Sequence, residues 1–283
     1  MSGSLVIWCG PIFVAGKSPY AGGDVGKVDW LGTSVTFISL PCNNPSPTLC
    51  ASLHGMYADA QGRVLPNLLA KNNAGSPSDY DHIALCGYSA GHNFMNPTLL
   101  SDGDQIDAMV SIDACYSTTN PPWTKAGYVD FGTKAARGEK LMVLMATGSS
   151  HGGTGYPSSS GSECALANFD AAAAAAGVSP AVIDSGLQYP PTNSERAGGL
   201  FLLDYELQKF SGQLPHFDAV NKISQDVFQT YLAPFLAGQP LPGGPAVAPG
   251  GSIEGEAASD STVPLLLGVV ALGTLLLYLK TRK

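Results

Sequence analysis

The sequence predicts an α/β fold, a mostly parallel central sheet flanked by helices, and three observations carry that expectation. Short apolar runs bounded by Gly, Pro and Asp recur through the first 238 residues, helix-compatible stretches lie between several of them, and the last such stretch has one continuous apolar face. Runs that are apolar on consecutive residues, instead of alternating, are what strands covered on both faces look like. Interleaved with helices, they argue for parallel pairing.

In chain order the predicted strands are Leu5–Trp8, Val35–Leu40, Ile83–Cys86, Ala108–Ile112, Leu141–Met145 and Ala181–Ile183. The predicted helices are Arg63–Lys71, Ala90 to about Leu100, and Glu163–Ala176, whose six closing alanines favour helix and run into Gly177, a suitable C-cap. Leu200–Leu207 reads equally as strand or helix. The last helix, Phe217–Leu236, has apolar residues at 217, 220, 223, 227, 228, 231 and 232, the spacing of one buried face. Residues 1–238 therefore read as the globular body.

Residues 239–260 are dense in Pro and Gly, lack apolar periodicity and read as a flexible tether. From Ser261 to Leu279 no residue is charged, and Lys280, Arg282 and Lys283 follow. Nineteen residues at about 1.5 Å each make a helix about 28 Å long, close to the hydrocarbon thickness of a bilayer. Residues 261–283 are thus expected to be a single transmembrane helix with a basic end, anchoring the body to a membrane. The side is open: Leu5–Val14 lacks the basic flank of a signal peptide, which favours a body on the side of synthesis, whereas the basic end prefers the cytoplasm.

The net charge is −8, with no run of Lys or Arg outside the last four residues, so nucleic acid is not an expected partner. Six cysteines occur without a C-x-x-C or a paired Cys/His spacing, and no metal site is expected. Cys9, Cys86 and Cys115 lie in or beside apolar runs and read as small buried hydrophobes. Cys42 and Cys50, flanking a Pro-rich loop, form a candidate disulfide.

Chemistry concentrates at Asp81-His-Ile-Ala-Leu-Cys-Gly-Tyr-Ser89-Ala90-Gly91-His92, a buried strand running into Gly-x-Ser-x-Gly. In a nucleophile elbow the glycines allow a tight strand-to-helix turn that holds the serine up at the carboxyl end of the sheet. A second match, Gly148–Gly152 around Ser150, runs into Gly, Ser and Pro residues that cannot start a helix, so Ser89 is preferred.

Here residues 4–238 resemble the α/β-hydrolase family. The resemblance implies that Leu5–Trp8 carries the oxyanion loop, Ile83–Cys86 is the nucleophile strand, and the triad runs in the order serine, acid, histidine. Leu214-Pro-His216-Phe-Asp-Ala-Val220, opening the last amphipathic helix, is similar to the family's catalytic histidine loop, which makes His216 the general base and His151 the reserve. His82 and His92 have ordinary structural readings, and His54 is placed in a loop. The loop after Leu141–Met145, where many members keep the acid, contains no carboxylate through Tyr156. Some members place it one strand earlier, where Asp113 stands, with Asp184 the alternative. The oxyanion hole needs two backbone N–H groups; Ala90 supplies one, and Gly10 or Ile12 the other, because Pro11 has no N–H.

The expected function is a membrane-anchored serine hydrolase cleaving a small-molecule or lipid carboxylic ester through an acyl-enzyme, with no cofactor. Two alternatives stand beside it: an inactive hydrolase-like body used as a membrane-attached structural or binding component, and, from the same triad, a peptidase.

Overall fold

The computed structural model describes residues 3–10, 25–30, 33–41, 47–115, 124–147, 160–205 and 223–244. Within them nine strands form one sheet: β1 Gly3–Gly10, β2 Val25–Trp30, β3 Thr33–Pro41, β4 Tyr80–Tyr88, β5 Ala108–Ile112, β6 Leu141–Ala146, β7 Ala181–Val182, β8 Asn193–Ala197 and β9 Leu200–Asp204. Their spatial order is β2-β3-β1-β4-β5-β6-β9-β8-β7. The six from β3 to β9 pair in parallel, while β2 at one edge and β8 and β7 at the other run antiparallel to their neighbours.

The side chains of the central strands divide by parity into two cores. Leu5, Ile7 and Cys9 of β1, with Leu85, Met109, Met142 and Leu144, pack under five helices: α1 Pro47–Tyr57, α2 Leu65–Lys71, α3 His92–Asp102, α4 Ala126–Ala136 and α5 Ser160–Ala176. Val6 and Trp8, with Cys86, Val110, Val143 and Phe201, pack against the C-terminal helix through Ile223, Val227, Phe228, Tyr231, Leu232 and Phe235. That helix runs as Ser224–Val227, a π-helical turn Phe228–Leu232, and Ala233–Leu236. Pro234 has no N–H to give residue 230, and the wider turn before it absorbs the missing bond. The α/β architecture, a mostly parallel sheet with helices on both faces, is therefore present.

Several expectations are corrected. Ala181–Ile183 is not a strand covered on both faces but a two-residue exposed edge, with Val182 80% exposed. Leu200–Leu207 resolves to strand through Asp204. Cys115 is not a plain buried thiol: it is bridged to Cys164. Cys50 is also disulfide-bonded, its partner outside the described residues, while Cys9 and Cys86 are free and buried. His54 lies in α1, not a loop, with its ring edge-on to Phe94 at 6.0 Å.

The chain continues against the body as far as Gly244. Leu241 is buried, and the Pro242 carbonyl accepts a hydrogen bond from Arg196 Nη1 at 2.8 Å. Among the described residues no helix is long and apolar enough to cross a membrane; 261–279 lies outside them.

Candidate functional site

The strand order turns at β1, because the chain lays β3 on one side of it and β4 on the other. In open α/β sheets the crevice outside the carboxyl ends at such a switch point is where ligands bind. Gly10 is the last residue of β1, Ser89 directly follows β4, and Asp113 directly follows β5. Topology thus gathers three of the predicted site residues at one place.

Their backbone is unusual. Ser89 has φ +52° and Asp113 φ +44°, and the one other described non-glycine residue in this region is Asn73, a type that tolerates it. Such conformations cost about 1–3 kcal/mol each and persist only where surroundings over-determine them. Here the Ser89 N–H donates to the Asp113 carbonyl at 3.2 Å, and the Asp113 N–H donates to the Met145 carbonyl at 2.8 Å. The ladder joining β4, β5 and β6 therefore extends one residue past the strand ends and holds both turns.

Sterics explain the flanking glycines. A Cβ on Gly91 would overlap the Cys9 carbonyl, and one on Gly87 would overlap Met95 Sδ and lie 3.1 Å from the same carbonyl. Without those atoms the Ser89–Gly91 turn settles onto the end of β1, bringing Ala90 beside the Cys9–Gly10 backbone. The two oxyanion candidates, Ala90 and Gly10, are thereby on adjoining segments; Ile12 lies outside the described residues.

Asp113 is 1% exposed. Its Oδ1 accepts the Thr147 N–H at 3.1 Å and its Oδ2 accepts the Thr147 hydroxyl at 2.7 Å. The following residues are also tied down: the Tyr128 hydroxyl donates to the Ala114 carbonyl at 3.0 Å, and Cys115 is bridged to Cys164 on α5. Asp184, the alternative acid, is exposed and caps its own turn by accepting the Gly186 N–H at 3.0 Å. It extends from β7, five strand spacings or about 24 Å from β4.

His216 lies outside the described residues, as do Ser150 and His151. The other three histidines, His54, His82 and His92, are among the described residues. His92 Nδ1 donates to the Ser89 carbonyl at 2.9 Å, and burial with the nearby Lys125 charge holds its pKa down to about 3, so it is a neutral brace for the Ser89–Gly91 turn. His82 stands near the amino end of β4, seven residues or about 23 Å from Ser89. Burial lowers the pKa of His54, against the opposing pull of the Asp102 charge. Among the described residues no group of three His, Cys, Asp or Glu side chains could hold a metal ion.

Sequence reading missed Thr147 and the Cys115–Cys164 bridge. Thr147 meets Asp113 because β5 and β6 are neighbours, the bridge joins the segment after β5 to α5, and six cysteines alone allow 15 pairings.

No family model matches the chain, and no curated protein matches it. Among solved structures it is similar to a poly(3-hydroxybutyrate) depolymerase from Bordetella parapertussis, with a TM-score of 0.40 and 14% identity over 72% of each chain.

Proposed function

We propose that this protein is a serine hydrolase of the α/β-hydrolase type that cleaves a carboxylic ester through an acyl-enzyme. The observation that carries the reading is the left-handed backbone of Ser89 (φ +52°), at the carboxyl end of β4, beside the switch strand and between two glycines whose missing side chains the turn requires. Strain of this kind at a buried strand end has no evident packing purpose, whereas it is what lifts a nucleophile above a sheet.

In this reading Ser89 attacks the ester carbonyl while His216 takes its proton, and the tetrahedral oxyanion is met by the N–H groups of Ala90 and Gly10. His216 then protonates the leaving alcohol. A water activated by the same imidazole releases the acid, and Asp113, buried and doubly hydrogen-bonded, orients the imidazole and stabilises its cationic form. We further propose that residues 261–279 anchor the body to a membrane. The disulfides at Cys115–Cys164 and Cys50 support a body on an oxidising side, and the basic end Lys280–Lys283 then falls on the cytoplasmic side, in keeping with the positive-inside tendency.

The test is covalent labelling of the detergent-solubilised full chain by a fluorophosphonate. Ser89→Ala is expected to abolish labelling and turnover of p-nitrophenyl esters while the circular dichroism spectrum stays unchanged. Labelling that persists in the variant overturns the assignment. A folded wild-type chain that does not label supports the inactive membrane-attached scaffold instead.

A further inference from the structure

We infer that Thr147 is a positioning residue for the site, aiming the Asp113 carboxylate; the inference rests on the triad reading above and deepens it. Thr147 is the first residue after β6, at the place where the sequence leads one to look for an acid and finds none. It is fully buried, so water does not substitute for what it donates. Its N–H and its hydroxyl reach the two different oxygens of one carboxylate, at 3.1 Å and 2.7 Å. A single hydrogen bond would leave the carboxylate free to turn about its Cβ–Cγ bond, whereas two donors from one residue on opposite oxygens define its plane.

The donors themselves are tied into the fold. The N–H belongs to the end of the central strand β6, whose last residue is held from the other side by the Tyr205 N–H donating to the Ala146 carbonyl at 2.9 Å. The hydroxyl sits on a β-branched side chain, whose χ1 is restricted. The Asp113 backbone is fixed independently by its bonds to Met145 and Ser89. The acid has moved one strand toward the nucleophile relative to the commoner arrangement, and the residue left at the vacated strand end holds its head group. Both donors also favour the charged carboxylate, the form that stabilises an imidazolium.

The experiment measures second-order fluorophosphonate labelling rates of the full chain in detergent, with melting temperature read alongside, for wild type, Ser89→Ala, Asp113→Asn, Thr147→Val, Thr147→Ser and the Asp113→Asn/Thr147→Val double variant. Loss of the hydroxyl hydrogen bond in Thr147→Val is expected to slow labelling roughly tenfold. Thr147→Ser should restore most of the rate. Because Thr147 acts through Asp113, the double variant should label no more slowly than Asp113→Asn alone, a coupling that a merely structural role would not produce. Wild-type labelling by Thr147→Val beside a slow Asp113→Asn, or fully additive losses in the double variant, overturns the inference. Unimpaired labelling by Asp113→Asn instead removes the acid assignment and Thr147 with it, and an unlabelled wild-type chain removes the hydrolase reading as a whole. Should Thr147→Val not fold, Thr147→Ala, which also lacks the hydroxyl, takes its place under the same criteria.

Discussion

Gly87 and Gly91 look equivalent in the motif, yet they meet different neighbours. A side chain at Gly87 collides first with the end of the flexible Met95 side chain, whereas one at Gly91 collides with the backbone carbonyl of Cys9 in a central strand. Gly91→Ala is therefore expected to cost about 3 kcal/mol, the upper part of the overpacking range, and to abolish labelling. Gly87→Ala should cost less and keep measurable labelling. Thermal melts of both variants check the order, and equal losses would mean that the turn moves away from β1 as a unit. The strand-to-helix turn at Ser89 was legible in the sequence because its requirements are local: two glycines, an apolar strand before and a helix after. Thr147 was not, because its only distinguishing feature is the carboxylate it touches, 34 residues earlier, just past the end of a neighbouring strand.

At the scale of elements, the central strands announce themselves by continuous apolar runs, and the elements that were missed have none. β8, Asn-Ser-Glu-Arg-Ala, is polar because it lies near the edge, where its Arg196 guanidinium stacks over the Phe201 ring at 5.0 Å. Helix α4 contains Gly127 and Gly132, poor helix formers that are needed for closeness: a Cβ would overlap the Asn96 carbonyl at the first and crowd Ala172 of α5 at the second. The Cys115–Cys164 bridge spans a sequence separation of 49 and ties the loop holding Asp113 to α5. Closing a loop of that length stabilises by about 4 kcal/mol on the chain-entropy account. Replacing both cysteines by serine should lower the melting temperature by on the order of 10 °C. It should also slow labelling if Asp113 serves the proposed triad, because the tether two residues beyond it is lost; a large fall in melting temperature with an unchanged rate would show that Asp113 is held by the β5 and β6 ends alone.

For the molecule as a whole, the class of fold was legible from the alternation of apolar runs and helical stretches, while the strand order was not. Nothing local says that β1 lies between β3 and β4, and that arrangement is what brings Gly10 to the Ser89–Gly91 turn. The return of residues 239–244 along the body was equally hidden, since their composition is that of a linker. Leu241, 4% exposed, contributes about 1.5–3 kcal/mol through burial. A chain ending at residue 238 should therefore melt roughly 5 °C below one ending at 244, as differential scanning calorimetry would register. The same segment decides how the body bears mechanical load. Its last contacts are with Ile183, beside β7, and with Arg196 of β8. A pull transmitted from beyond Gly244 enters the sheet at that edge, four strand spacings or about 19 Å from β4. The strap and the short β7–β8 pair are expected to give way first, as a sacrificial seam, and the parallel ladder of β1, β4 and β5 feels the tension only after them.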